Sequence, residues 1–263
     1  MSPPNCIEIP SEQSLGLAAG MAAKHLEGND REFFQRVWAT PLERYRNRLQ
    51  AIGFARKREV LDAGSGMGQW SVALATLNLR VTSVEFAHDR VRACRTLFKE
   101  LNLTNTRLVR ASVTSSVLPS ATFDAIFCYS VIMLTDYRAT LREFHRLLKP
   151  GGSLYLNANG LGYYLKLIIE QPNRSSSYDP RNMASEVLSR SFGYMTGLGA
   201  KPEGQILIPS KLMRQTLHES GFRGIRIGSE GSLRIGKASA PVPFYDPHYL
   251  GQETVYEVLA RKM

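Results

Sequence analysis

Glu59-Val-Leu-Asp-Ala-Gly-Ser-Gly-Met-Gly-Gln69 is the stretch that decides the fold of this 263-residue chain. Val60 and Leu61 are a short apolar run that ends in an acid, Asp62. Glycines then stand at alternate positions, Gly64, Gly66 and Gly68, and a helical pattern follows at once with Trp70, Val72, Ala73, Leu74 and Leu77. Glycine permits φ > 0 and lets a ligand approach the main chain. A glycine-rich turn from strand to helix is a nucleotide-sized cradle at the carboxyl end of a parallel sheet.

The spacing excludes a dinucleotide. Pyrophosphate binders place glycines as G-x-G-x-x-G. Counted from Gly64 the sixth position is Gln69, and counted from Gly66 it is Ser71, so neither register fits. An acid ahead of the glycines would repel a pyrophosphate and attract an ammonium or a sulfonium. The pattern D-x-G-x-G-x-G resembles the first motif of class I S-adenosylmethionine-dependent methyltransferases. The resemblance runs from about Val60 to Leu156. It leaves out the first fifty residues and everything after Asn157.

Working outward, strand and helix patterns alternate. Arg80–Glu85 is β-branched and alternating, a second strand. Residues 89–101 carry Val91, Cys94, Phe98 and Leu101 on one helical face. Thr106–Ala111 reads as a third strand. Phe123–Cys128 is a fourth, nearly all apolar as in a buried parallel strand. A helix over 140–148 stops at Lys149-Pro-Gly-Gly152, and residues 153–157 form a fifth strand. Ahead of the first strand, helices are expected over 14–26, 31–38 and from Thr40-Pro41 onward. After Asn157 the rhythm breaks into two helices, 160–170 and 179–194. A helix capped by Ser210 and strands over 222–228 and 254–260 close the pattern. The fold expected is α/β: a doubly wound, mostly parallel seven-stranded sheet with helices on both faces. An α-helical cap comes from the N-terminal helices and the insert after the fifth strand. The division is an N-terminal helical flap over 1–57 and a Rossmann-like domain over 58–263, with the cap insert at about 158–205.

Composition sets further bounds. No apolar run approaches the roughly 18 residues of a membrane span. The N-terminus lacks the basic-then-apolar order of a signal peptide. Cys6, Cys94 and Cys128 are scattered and read as reduced thiols of a cytoplasmic protein. The formal charge is +10. Arg44, Arg46, Arg48, Arg56, Lys57 and Arg58 precede the first strand, and Arg90, Arg92, Arg95 and Lys99 share one helix. They suit a solvated helix face, or else an anionic partner such as RNA, a phosphorylated substrate or an acidic protein. Few aromatics interleave with them, which ranks RNA second.

The resemblance implies S-adenosylmethionine as cofactor and a set of contacts for it. Asp62 lies near the methionyl amino group, directly or through water. Gly64, Gly66 and Gly68 let the backbone meet the ligand. Glu85, about twenty residues beyond Gly64, holds the ribose hydroxyls, as acids do at this position in nucleotide-binding α/β folds. Phe86 and Val113 border the adenine. Ser112 stands where many members carry an aspartate. The edge of the fourth strand lies beside the methionyl group and the reacting methyl in the family, and Tyr129 there supports the cofactor, lines the substrate pocket, or is a packed tyrosine. Asn-Pro-Pro-Tyr and Asp-Pro-Pro-Tyr are absent, so amino methylation of a base is not indicated.

The acceptor side must come from the variable segments. On the helix over 160–170, Tyr163, Leu167 and Glu170 share a face. Between the last two strands a long loop carries Glu230, Tyr245, Asp246, His248 and Tyr249. Glu170 and His248 are the candidate bases. No metal-ligand spacing is present. The function expected is methyl transfer to oxygen, nitrogen or carbon of a small or medium-sized acceptor, with an anionic acceptor suiting the arginines. RNA methylation is the alternative, and a non-catalytic S-adenosylmethionine-binding protein the second.

Overall fold

A computed structural model of the chain describes residues 7–195, 204–236 and 241–263. Cys6, residues 196–203 of the expected cap and 237–240 of the late loop lie outside the described residues. Three helices come first: α1 (Glu12–Ala22), α2 (Gly28–Trp38) and α3 (Leu42–Ala51). The alternating part then runs β1 (Glu59–Ala63), α4 (Gln69–Ala75), β2 (Arg80–Glu85), α5 (His88–Glu100), β3 (Thr106–Arg110), β4 (Phe123–Cys128), α6 (Tyr137–Leu147) and β5 (Leu148–Asn159). The insert is α7 (Leu161–Glu170) and α8 (Pro180–Met195), followed by α9 (Ser210–Glu219) and β6 (Phe222–Ser229). A two-residue-per-strand hairpin, β7 (His248–Tyr249) and β8 (Gln252–Glu253), precedes β9 (Val255–Lys262).

Seven strands form one sheet in the order β3-β2-β1-β4-β5-β9-β6. The first five are parallel, and β9 runs antiparallel between β5 and β6. The doubly wound, mostly parallel sheet expected from the sequence is what the chain forms. Its strand order reverses between β1 and β4, so the loops at their carboxyl ends diverge and open a crevice there.

Local sequence explains the elements. β4 and β9 are central strands, and their side chains are buried on both faces. In α4 every residue from Trp70 to Ala75 is buried, which suits a helix enclosed on all sides. α6 shows a cleaner stripe, with Tyr137, Leu141, Phe144 and Leu147 buried, and Asp136 caps it by accepting from the Ala139 N–H at 3.2 Å. Each large apolar side chain so buried contributes about 1.5–3 kcal/mol. Two details differ from the sequence reading. α9 begins at Ser210 without a side-chain cap. The Pro150-Gly151-Gly152 segment lies inside β5, whose pairing with β4 shifts register there, and Gly151 takes φ +76° in the irregular stretch. The β7–β8 hairpin was not foreseen. It turns on Leu250 and Gly251, both left-handed, as a two-residue hairpin loop requires.

One buried charge cluster joins the first part of the chain to the last. Arg48 on α3 is 0% exposed. Its Nη1 lies 2.5 Å from Glu230 Oε1 and 3.2 Å from Glu257 Oε2. Tyr155 on β5 donates to Glu257 Oε2 at 2.8 Å, and the Leu233 N–H donates to the other oxygen at 2.6 Å. The Phe244 N–H donates to Glu230 Oε2 at 2.8 Å. Removing one partner from such a cluster strands the other charges in a low dielectric. Arg48→Ala is expected to cost about 3–5 kcal/mol of unfolding free energy, read as a lowered urea midpoint. An unchanged midpoint would show that α3 is held by its apolar face alone.

Candidate cofactor and acceptor site

At the crevice beside β1 and β4 lies a cavity of about 720 Å³. Its volume is in the range of sites that enclose drug-sized ligands. One side is built by the β1–α4 turn. Gly64, Gly66 and Gly68 take φ of +85°, +53° and +82°. A Cβ on Gly64 would run into Val131, and one on Gly68 would meet Leu97 Cδ2 at 2.8 Å. These positions therefore need glycine for conformation and for space at once. Gly64 and Gly66 line the cavity.

Glu85 closes the same side. It is 7% exposed and lines the cavity. Its Oε2 accepts from the Gly66 N–H at 2.9 Å, and Oε1 accepts from the Phe86 and Ala87 N–H groups at 2.9 and 2.8 Å. Three of roughly four acceptor sites are thus taken, and the carboxylate is rigidly aimed. Gripping two ribose hydroxyls requires the Gly66 bond to be shared or opened. Phe86 (71% exposed), Ser112 and Val113 line the neighbouring wall. Ser112 Oγ accepts from the Thr114 N–H at 3.2 Å, so its hydroxyl proton is left for a ligand acceptor.

Asp62 is placed differently from the reading of its sequence position. It is 1% exposed and is not among the lining residues. It accepts from Ser71 Oγ at 2.6 Å, and Ser83 Oγ donates to Ser71 Oγ at 2.9 Å. The acid thereby ties β1, α4 and β2 together. Burial pushes its carboxyl up to about 7, with Ser71 opposing and the Glu85 charge adding. Asp62 has no surface on the cavity, whereas Gln69 lines it, with its Oε1 buried and without a hydrogen-bond partner. A bare acceptor at a helix start suits an ammonium donor. Together with the glycine cradle and Glu85, it makes this side fit the cofactor that the sequence motif implies.

The other side is aromatic. Tyr45, Trp70, Tyr129, Phe244 and Tyr245 line it. Tyr45 stacks on Phe244 at 5.6 Å between centroids, and Trp70 lies 4.7 Å from Tyr129. Ser130 follows Tyr129 with φ +58° and is held there by Asn157 Oδ1, which accepts its N–H at 2.6 Å. Strain held in place at a cavity wall fixes the exit of β4. The N-terminal helices supply Phe33, Arg36, Val37 and Thr40. They are clasped over the glycine turn: Trp38 Nε1 donates to Met67 O at 3.0 Å, and Arg90 pairs with both Asp30 oxygens at 2.8 Å.

Neither base expected from the sequence reaches this cavity. Glu170 ends α7, where Gln171 turns left-handed, and its exposed carboxylate faces Lys166 at 3.8 Å. Leu167 on the same helix is the residue that packs inward, with Tyr164, Ala184 and Val187. His248 is exposed on the β7 strand. None of the described residues of α7 and α8 lines the cavity; the insert contributes indirectly, through Tyr163, whose ring meets Tyr245 at 5.9 Å. Four of the ten residues in the basic clusters, Arg44, Arg46, Arg48 and Arg90, are engaged in structure through their side chains. Arg48 is buried, Arg46 pairs with Glu43 at 2.7 Å, and residues 56–58 lead into the amino end of β1, away from the cavity.

Comparison with known proteins points to methyltransferases. Residues 60–152 match the family described as "Methyltransferase domain". A demethylmenaquinone methyltransferase of Listeria welshimeri is 31% identical over 99 residues, which cover 36% of this chain and 42% of that protein. A ubiquinone biosynthesis O-methyltransferase of Xanthomonas oryzae pv. oryzae is 32% identical over 99 residues, covering 37% and 41%. The chain thus spans less than half the length of these curated relatives. A SAM-dependent methyltransferase structure from Methanosarcina mazei superposes with a TM-score of 0.53 at 16% identity, covering 79% of this chain and 93% of that one.

The titration of Asp62 gives a test. Its folded-state value lies above the ordinary 3.8, so its protonated form favours the native state. That contribution is full below about pH 4 and is lost as the pH rises through about 7. Between about pH 5 and about pH 8, the melting temperature of Asp62→Asn should therefore gain on that of the wild type, by a few degrees. Parallel melting curves would show Asp62 to be ordinary.

Proposed function

We propose that this chain is a class I S-adenosylmethionine-dependent methyltransferase that moves the cofactor's methyl group to a small, flat, largely apolar acceptor. The observation that carries the reading is the continuity of one cavity from the glycine turn and Glu85 to the aromatic wall of Tyr45, Tyr129, Phe244 and Tyr245. Such a cavity holds a nucleoside cofactor and an acceptor side by side. The quinone-pathway relatives support an aromatic acceptor.

When bound, the cofactor supplies an activated methyl on a positively charged sulfur. The remaining work belongs to the chain. Glu85 orients the ribose, Phe86, Ser112 and Val113 border the base, and Gln69 accepts from the methionyl ammonium. Displacement at the methyl needs an acceptor atom in line with it and little water. Tyr45, Phe244 and Leu134 shape that approach, and Val37 and Phe33 cover it. Arg36 lines the cavity with its side chain 37% exposed and only a loose 3.9 Å approach to Glu32. It is the group that would meet a carboxylate or phenolate on the acceptor. The N-terminal helices act as the cap in this reading, with the α7–α8 insert as its outer support.

The purified chain should bind S-adenosylmethionine in the micromolar range by calorimetry. Glu85→Ala should weaken that binding by about tenfold or more, as expected for loss of a charged hydrogen-bonding group. Absence of binding by the wild-type chain would remove the methyl-donor reading altogether.

A further inference from the structure

The charge cluster behind the aromatic wall has a connection to the cavity that packing alone does not require. Glu230 is 3% exposed, and no expected contact to a ligand accounts for it. Its Oε1 accepts from the Tyr129 hydroxyl at 3.0 Å, and the Tyr129 ring is part of the cavity wall. Two carboxylates, Glu230 and Glu257, share one guanidinium, Arg48. Among the described residues, neither carboxylate has a second cationic partner. Arg44 is the next cation. It stacks on Phe244, with Cζ 4.2 Å from the ring centroid, and donates to the Pro243 carbonyl. Arg44 is half-buried, with its Nε buried, and among the described residues it makes no ion pair with either carboxylate. Arg48, Glu230 and Glu257 taken together carry one negative charge in excess, and Glu230 brings it within one phenol ring of the cavity.

We infer that the Glu230–Tyr129 pair makes the site read the positive charge of the methyl donor, favouring the sulfonium of S-adenosylmethionine over the neutral thioether of its product. The inference rests on the cavity being the S-adenosylmethionine site, with the carboxyl end of β4 at Tyr129 bordering the transferable methyl. The physics is direct. A phenol that donates to a carboxylate gains electron density on its oxygen and ring, and an aromatic ring backed by negative charge attracts a cation. The excess charge acts across a desolvated wall, where screening by salt is weak. At an effective dielectric of about 20 and a separation of one ring, the discrimination is on the order of tenfold. Substrate and product share every adenosine, ribose and amino-acid contact, so the discrimination falls on the sulfur's charge. It holds the reactive donor and releases the spent one.

The test is a calorimetric comparison of S-adenosylmethionine, S-adenosylhomocysteine and sinefungin, which carries an amine where the donor carries the sulfonium. Wild type, Glu230→Gln and Tyr129→Phe are each measured with all three ligands. Glu230→Gln should weaken the two cationic ligands by about tenfold while changing S-adenosylhomocysteine by less than about twofold. Tyr129→Phe leaves the Arg48 ion pairs intact, which guards against a folding artefact. It should move the same ratio in the same direction by a smaller factor. An equal loss for all three ligands in both variants would show a purely structural role and overturn the inference. Binding of none of them by the wild type would overturn the cofactor reading itself, a result distinct from an unchanged ratio.

Discussion

A backbone that reverses through three alternate left-handed residues can be built only where side chains are missing. The turn after β1 does this at Gly64, Gly66 and Gly68, and the rest of the site is arranged around it. The same omission of Cβ atoms seats Val131 from the β4 exit and Leu97 from α5 against the main chain. It also brings the Gly66 N–H within 2.9 Å of Glu85, so the acid at the end of β2 is aimed by the turn that it faces. Cradle and carboxylate are one unit, and the helix cap is anchored to that unit through Met67.

The second organising feature is electrostatic. A long-range triad of Arg48, Glu230 and Glu257 costs desolvation that apolar packing would not. Its position explains its presence better than stability does. It fastens α3 to the antiparallel end of the sheet, gives Phe244 its place through a backbone bond, and meets the cavity at Tyr129. Burial raises the Tyr129 hydroxyl well above its ordinary range, with the Glu230 charge adding, so this phenol stays protonated and keeps donating.

Much of the scaffold was legible because its signals are local. The strands Arg80–Glu85 and Phe123–Cys128 follow from β-branched alternation and an unbroken apolar run, and both ends match the observed elements. Glu85 was found by spacing along the chain. What stayed hidden depends on contacts between distant segments. Arg48 sits in a run of arginines that looks solvated, and nothing nearby in sequence marks it as the buried one; its partners lie 182 and 209 positions away. Tyr45 and Phe244 meet across a similar gap. Gln69 stands in the sequence simply as the residue after the third glycine, and its buried, unpartnered oxygen is visible only in the fold. Glu170 and His248 were attractive as titratable groups in variable segments, but a helix face pattern does not say where the helix outruns its partner. Leu167 is inside and Glu170, one turn on, is not.

The clasp of Trp38 on Met67 and of Arg90 on Asp30 has a kinetic side. Phe33, Val37 and Tyr45 line the same cavity as Gly64 and Glu85, so a molecule seated there is covered by α2 and α3. Exchange of that molecule has to wait for those few bonds to part. α2 buries only Phe34, whereas α3 is fixed by the Arg48 ion pairs, so an opening of α2 alone would cost less than global unfolding. Exchange of a bound molecule through such an opening would be paced by α2, while the sheet beneath keeps its place.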